Sequence, residues 1–327
     1  MRVLITGGTG FIGKKLAARL LKDGALALDG GTPQKVEKIV LFDAFAGEGV
    51  PADPRIEVVT GDIADRATID RLVAEADLVW HLAAIVSGNA EADFDLGMTV
   101  NLLGTQVLLE ALRATRRRPR LVFASSLAVY GGDMPEVITD QTHLTPQTSY
   151  GMQKAAGELL VADYSRKGFV DGRSLRLPTI VVRPGKPNKA ASTFASSIIR
   201  EPLAGQEAVC PVGRDAAMYI LSPRRVVDAL VHGMQLSDES WGMTRALLLP
   251  GITAGIGEMV DALERVAGKE VAGRIRWEKD ATIEKIVRGW ASRAEATRAL
   301  AMGFVPDGDL EEIIRAHIED ELGGRIA

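Results

Sequence analysis

A chain of 327 residues exceeds the size at which a single core usually stops growing, so two lobes are expected. Hydrophobic residues at 46% and charged residues at 25% exclude disordered or collagen-like classes, and a net charge of -4 provides no broad positive field for nucleic acid. The single cysteine, Cys210, excludes an internal disulfide and fits a reducing compartment.

No apolar run reaches the roughly 18 residues of a membrane span. The N-terminus opens into a glycine-rich strand and turn rather than a signal peptide. A cytoplasmic location without a membrane partner is expected. The local basic run Arg116-Arg117-Arg118 with Arg120 reads as a solvated helix end.

Short apolar runs alternate with amphipathic helical stretches through the first half. Arg2–Ile5 precedes a helix from about Phe11; Lys38–Phe42, Ile56–Val59, Leu78–Trp80, Leu121–Ala124 and Leu175–Leu177 continue the series. Nearly continuous apolar strands separated by helices suit a parallel sheet covered on both faces, which is a doubly wound α/β domain. After about residue 178 the rhythm breaks into Pro- and Gly-punctuated segments, with helices near 192–204, 224–236, 255–267 and 308–321. The expected division is a dinucleotide-binding Rossmann domain at 1–177 and a smaller C-terminal substrate lobe at 178–327.

Thr6-Gly7-Gly8-Thr9-Gly10-Phe11-Ile12-Gly13 lies between the first strand and first helix. Gly7, Gly10 and Gly13 there permit a tight turn and close backbone approach to a pyrophosphate, which the free N–H groups of the helix start attract. The second strand ends at Asp43, whose carboxylate suits ribose hydroxyls, and residues 44–48 hold no Arg or Lys for a 2′-phosphate. NAD is therefore expected over NADP. Asp43 follows Gly13 by 30 residues where roughly 20 is usual, and the excess is assigned to a loop at 25–38.

Tyr150 and Lys154 stand four residues apart at a helix start, on one face. A nearby ammonium favours phenolate and so brings a tyrosine towards the pH at which it exchanges protons. Ser126, at the end of the strand 121–124, precedes Tyr150 by 24 residues.

Taken in order, Thr6 to Gly13, His81-Leu82-Ala83-Ala84, Asn101, Ser125 to Gly131 and Tyr150 to Lys154 resemble the extended short-chain dehydrogenase/reductase family across the whole chain. The resemblance implies catalysis by Ser126, Tyr150 and Lys154, with Ser126 holding the reacting oxygen, Tyr150 moving its proton and Lys154 also meeting the nicotinamide ribose. It places Phe11, Ile12, Asp62, Ile63, Leu82, Ala83, Ala84 and Pro178 at the dinucleotide, with Asp62 and Ile63 at the adenine, and gives Asn101 the support of the proton-relay helix. Ser126 rather than Ser125 fills the hydroxyl position, and Tyr130 fills a packing position. The four histidines show no ligand-spaced cluster, so no metal is expected. Helices after Asn101 and Tyr150 often pair in family dimers, and Leu159, Leu160 and Val161 offer apolar surface, so a homodimer is expected.

Nucleotide-sugar members usually carry Asn at the position of Thr179 and an Arg-Asp-Phe-like segment near Met218-Tyr219-Ile220, and this chain lacks both. The stretch from Arg176 to Ser192 instead resembles members that oxidise the C2 hydroxyl of a four-carbon sugar acid. A small-molecule sugar acid is the expected substrate, with Thr179 beside it. Its carboxylate needs a cation, for which Arg183 has the matching planar fork, with Lys186 and Lys189 as alternatives. The remaining readings are a nucleotide-sugar 4-epimerase or dehydratase that retains NAD, and a non-catalytic NAD sensor, which would be expected to lack Tyr150 or Lys154.

Overall fold

The computed structural model describes residues 1–185 and 191–327, and Lys186 and Lys189 fall outside them. The first compact unit comprises Met1–Val129, Thr148–Arg176 and Val227–Leu248; the second comprises Tyr130–Gln147, Leu177–Val226 and Leu249–Ala327. The units interleave, unlike the single division at 177 that the sequence rhythm suggests.

In the first unit, strands β1 (Arg2–Thr6), β2 (Lys38–Asp43), β3 (Ile56–Thr60), β4 (Leu78–His81), β5 (Arg120–Ser126) and β6 (Asp171–Leu177) join Ala246–Leu248 in one seven-stranded sheet. Its order is Ala246–Leu248, β6, β5, β4, β1, β2, β3; Ala246–Leu248 runs parallel to β6, β5 to β4, β4 to β1, β1 to β2 and β2 to β3. The order reverses between β1 and β4, and a doubly wound sheet binds ligands at the carboxyl ends of the strands beside such a reversal.

Helices α1 (Phe11–Asp23), α2 (Arg66–Val73), α3 (Gly104–Ala114) and α4 (Ser149–Arg166) belong to the same unit. Leu16, Ala17 and Leu20 of α1 are buried, and the helix ends at Gly24, whose left-handed backbone lets its N–H return to the Leu20 carbonyl. Leu108, Leu109 and Leu112 of α3 and Val161 of α4 pack with Leu4, Val79, Leu121 and Phe123 from the sheet. Apolar burial on this scale, at roughly 25 cal/mol per Å², is what holds the helices to the sheet.

The return of residues 227–248 to this unit rests on buried charge as well as strand pairing. Leu247 pairs with Leu175. Arg173, fully buried, donates to the carbonyls of Gly233, Met234 and Leu236 and to Asp171. Arg120 donates to Asp171, Asp29 and the Met234 carbonyl. The basic run therefore does not form one solvated surface: Arg117 donates to the Val73, Ala74 and Ala76 carbonyls at the end of α2, and Arg118 pairs with Asp238. The residues between Gly24 and Lys38 form a small antiparallel ribbon, Ala25 opposite Lys35 and Leu26 opposite Gln34.

The second unit has its own core, with Ile198, Ile199 and Leu203 from the helix Thr193–Leu203 packed with Met218, Ile220, Met259, Leu263 and Ile314. A three-stranded sheet sets Thr179–Ile180 parallel to Ala217–Leu221, which runs antiparallel to Ile252–Gly255. Helices at Thr193–Leu203, Ile256–Ala267 and Leu310–Leu322 fall where the periodicity predicts them, as does Pro223–Gln235, whose residues from Val227 on belong to the first unit.

Candidate active site

β1 leads into the glycine loop at the sheet's reversal point. At Gly7 the backbone is left-handed (φ 68°), and a Cβ there would stand 2.7 Å from the Ala83 nitrogen. A Cβ on Gly13 would meet the Gly7 carbonyl at 2.5 Å, so the first turn of α1 lies directly on the loop. Gly10 caps α1 without a side-chain bond, and no acidic residue occupies the first turn. That leaves a positive helix end with room for an anion, the arrangement a pyrophosphate requires.

Asp43, at the end of β2, is oriented by two backbone donors: Thr9 N–H at 3.2 Å and Ala44 N–H at 2.8 Å. The carboxylate is thus tied to the glycine loop while remaining partly exposed. Lys14 of α1 donates to the Glu48 carbonyl at 2.7 Å. This cation lies outside residues 44–48 because it arrives from another element. Asp62 is exposed and accepts from Ala64 N–H, and Ile63 is buried against Gly104.

A buried polar chain fixes the next loop. The Thr105 hydroxyl donates its one proton to the Asn101 carbonyl (2.7 Å), so it must accept from His81 Nε2 (2.9 Å). His81 Nδ1 is then an acceptor and receives the Thr6 hydroxyl (2.6 Å), while Thr6 Oγ1 accepts from Ala83 N–H (3.3 Å). Burial, reinforced by the Lys154 charge, lowers the His81 pKa to about 3, so the ring is neutral as this directionality demands. His81 is a tie between β4 and the helix that follows, and it positions Leu82 and Ala83 over Gly7.

Asn101 lies in a π-helical stretch, Met98–Leu103, of the kind that often marks functional sites. Its amide accepts from Ile85 N–H (2.9 Å) and donates to the Ile85 carbonyl (3.2 Å) and to Gln153 Oε1 (2.8 Å). Gln153 belongs to α4, so Asn101 joins the Leu82–Ile85 loop to the helix that carries Tyr150 and Lys154. Thr105 and Gln153 stand outside the sequence reading; the four-residue spacing from Asn101 to Thr105 is the signal that could have found the former.

Thr148 caps α4 through Gly151 N–H at 3.1 Å, placing half-buried Tyr150 in the first turn. Lys154, one turn on, is buried. Its Nζ donates to the Ala124 carbonyl at 2.8 Å and lies 4.8 Å from the Phe123 ring centre and 5.6 Å from that of Tyr150. Burial pulls the Lys154 pKa down to about 7, against the upward pull of Glu158. Ser126 ends β5 two residues beyond Ala124, with its hydroxyl accepting from Ala128 N–H at 3.1 Å. The structure therefore gathers the glycine loop, Asp43, the Leu82–Ala84 loop, Asn101, Ser126, Tyr150 and Lys154 within one unit.

Pro178, Thr179 and Arg183 belong to the second unit. Thr179 pairs with Ile220. Arg183 donates through Nη2 to the Ser192 hydroxyl (2.9 Å) and through its backbone N–H to Ser196 (3.0 Å), and its carbonyl receives Arg200 (2.6 Å). Among the described residues no helix is long and apolar enough to cross a membrane.

A parallel sheet with a glycine-lined helix start, an oriented carboxylate at the end of β2 and a Tyr–Lys pair beside a strand-end serine defines a dinucleotide-dependent oxidoreductase. Comparison with known proteins agrees. The chain belongs to the NAD dependent epimerase/dehydratase family, whose model matches residues 3–240, and it is an NAD-dependent enzyme. It is 53% identical to D-erythronate dehydrogenase of Cupriavidus necator over 98% of each chain. It is 43% identical to D-erythronate dehydrogenase of Haemophilus influenzae over 98% of this chain and 100% of that one. A solved structure described as the nucleoside-diphosphate-sugar epimerase from Agrobacterium tumefaciens superposes with a TM-score of 0.94 at 47% identity, covering 100% of this chain and 96% of that one.

Proposed function

We propose that this enzyme is a dehydrogenase that oxidises the C2 hydroxyl of D-erythronate to 2-dehydro-D-erythronate, with Tyr150 as base, Lys154 as its electrostatic partner and Ser126 as the orienting hydroxyl. The observation that carries the chemistry is Lys154, a buried ammonium seated on the Ala124 carbonyl and facing the Tyr150 ring. The substrate assignment draws on the two D-erythronate dehydrogenases, each similar over nearly the whole chain.

The residues present fit NAD: a Cβ would fill the cradle at Gly7 and Gly13, and Asp43 is aimed by backbone donors. The glycine loop through Phe11, Ile12 and Gly13 would hold the pyrophosphate, Asp43 the adenosine ribose, Asp62 and Ile63 the adenine, and Leu82, Ala83, Ala84 and Pro178 the rest of the dinucleotide. Bound NAD supplies the hydride acceptor. Ser126 holds the substrate oxygen by a hydrogen bond, and Tyr150 as phenolate takes the proton from that oxygen. Lys154 favours the phenolate and would also meet the nicotinamide ribose. Asn101 keeps the helix of Tyr150 and Lys154 in register through Gln153. Arg183 grips the carboxylate, exchanging its bond to Ser192 for a charge-assisted pair, and Thr179 lines the same substrate.

The name carried by the solved Agrobacterium structure favours a second reading, a nucleotide-sugar epimerase with the same trio. An epimerase regenerates its cofactor in every cycle. Sustained growth of NADH absorbance on adding D-erythronate and NAD supports the dehydrogenase; its absence, with turnover of a nucleotide sugar, overturns the substrate reading.

The proposed assembly is a homodimer, with a revised contact residue. Val161 is in the core and Leu160 packs against it, which leaves Leu159, 70% exposed, as the apolar residue offered by α4.

A further inference from the structure

One buried carboxylate beside the site has no part in the chemistry above. Glu158 lies one turn beyond Lys154 on α4 and is buried with it. The Ser125 hydroxyl donates to its Oε1. Arg176 of β6 grips it from the other side, with Nε at 2.9 and 3.1 Å from the two oxygens and Nη2 at 2.7 Å from Oε2. Ser125 is the neighbour of Ser126, so the carboxylate links three elements: α4 with Lys154, β5 with Ser126, and β6.

A buried ammonium is costly unless a charge or a set of acceptors compensates it. The groups facing Lys154 are the Ala124 carbonyl and the Phe123 ring from β5, neutral His81 from β4, and Tyr150 and Glu158 from its own helix, with the Arg176 guanidinium behind Glu158. Among these, Glu158 is the one carboxylate.

We propose that Glu158, clamped by Ser125 and Arg176, is a positioning residue that keeps Lys154 charged on the Ala124 carbonyl and thereby sets the ionisation of Tyr150. The proposal rests on the roles given to Tyr150 and Lys154. It has a sign that a simple field effect lacks. Removing a nearby negative charge should by itself make a phenol ionise more easily. If Glu158 acts through Lys154, removing it discharges the ammonium and makes the phenol ionise less easily.

The test is a phenolate absorbance titration of Glu158→Gln and the unchanged enzyme, each read against a Tyr150→Phe counterpart so that Tyr130, Tyr164 and Tyr219 cancel. The Tyr150 midpoint should move to higher pH by about one unit, a roughly tenfold loss of phenolate near neutrality. Glu158→Asp should restore part of it. Glu158→Gln with Arg176→Gln, which leaves no unmatched buried guanidinium, should give the same upward shift if the single variant fails to fold. A midpoint that stays in place, or moves to lower pH, overturns the proposal. Turnover measured alongside separates the two claims: a Tyr150→Phe enzyme that still oxidises D-erythronate refutes the functional reading, while the titration still decides the role of Glu158.

Discussion

Cofactor choice is the sharpest test of the Asp43 geometry. Its carboxylate is aimed by Thr9 and Ala44 and faces a loop with a cation, Lys14, at the Glu48 carbonyl. A charge-assisted pair to the ribose hydroxyls is worth about 1.5–3 kcal/mol, so Asp43→Ala should weaken NAD roughly 10- to 150-fold. The same change removes the repulsion of a 2′-phosphate and leaves Lys14 as its local counter-charge, so NADP affinity should rise. Asp43→Ala with Lys14→Met should keep the loss for NAD but cancel the gain for NADP. Calorimetric titration of both cofactors against the three proteins measures this directly. Equal affinity of the unchanged enzyme for NAD and NADP, or equal weakening of both by Asp43→Ala, would refute the reasoning.

Tyr150→Phe should abolish oxidation of D-erythronate while NAD affinity stays within a few-fold, because the lost hydroxyl serves proton transfer; NADH absorbance and calorimetry report the two effects. Lys154→Met should lose both turnover and affinity yet melt at a higher temperature at neutral pH. The folded pKa of Lys154 is depressed from 10.5 to about 7, so the folded state binds fewer protons than the unfolded chain between those values. The unchanged enzyme should therefore gain stability as pH rises through that window, and Lys154→Met should show a smaller gain; identical melting profiles would show that the ammonium carries no burial cost. Arg183→Leu should raise KM for D-erythronate tenfold or more, with Arg183→Lys recovering part, since a point charge lacks the matched fork; an unchanged KM moves the carboxylate's cation elsewhere. Leu159→Arg should yield monomers by light scattering if α4 forms the dimer contact, and a dimer that persists excludes that contact.

Much of this architecture was legible in the sequence because its signals are local. A strand, a glycine loop and a helix start occupy thirteen residues, and the Tyr150–Lys154 spacing is one helical turn. Thr193–Leu203, Ile256–Ala267 and Leu310–Leu322 of the second unit follow periodicity, whereas its shorter helices Lys269–Ala272, Ala281–Arg288 and Thr297–Ala301 carry too few apolar positions to be read that way. What was not legible depends on partners distant in sequence. Apolar periodicity reports that a face is buried, not what buries it, so Val161 looked available for a dimer while it packs in the sheet core. The basic run looked solvated because nothing local shows that Arg120 will meet Asp171, or that Arg117 will end α2. The single division at 177 missed residues 227–248 for the same reason: their carbonyls are held by Arg173, which lies roughly sixty positions earlier.

The choice between dehydrogenase and epimerase cannot lie in the trio, since both chemistries begin with removal of a hydroxyl proton. It lies in what happens to the oxidised product. A retained nucleotide sugar must turn over within the site and take its hydride back, which calls for a nucleotide anchor and a closed cofactor site. A small keto acid needs a single cation and then has to leave. The resemblance drawn from the sequence, with Thr179 where nucleotide-sugar members usually carry Asn and Met218-Tyr219-Ile220 where they carry an Arg-Asp-Phe-like segment, is what favours the second case in the proposed function. Tyr219 and Ile220 are buried within the second unit, with the Tyr219 hydroxyl accepting from Gly251 N–H at 2.6 Å. Tyr219 and Ile220 are thus committed to packing, and the cation proposed for a sugar acid, Arg183, comes from a different segment of the same unit.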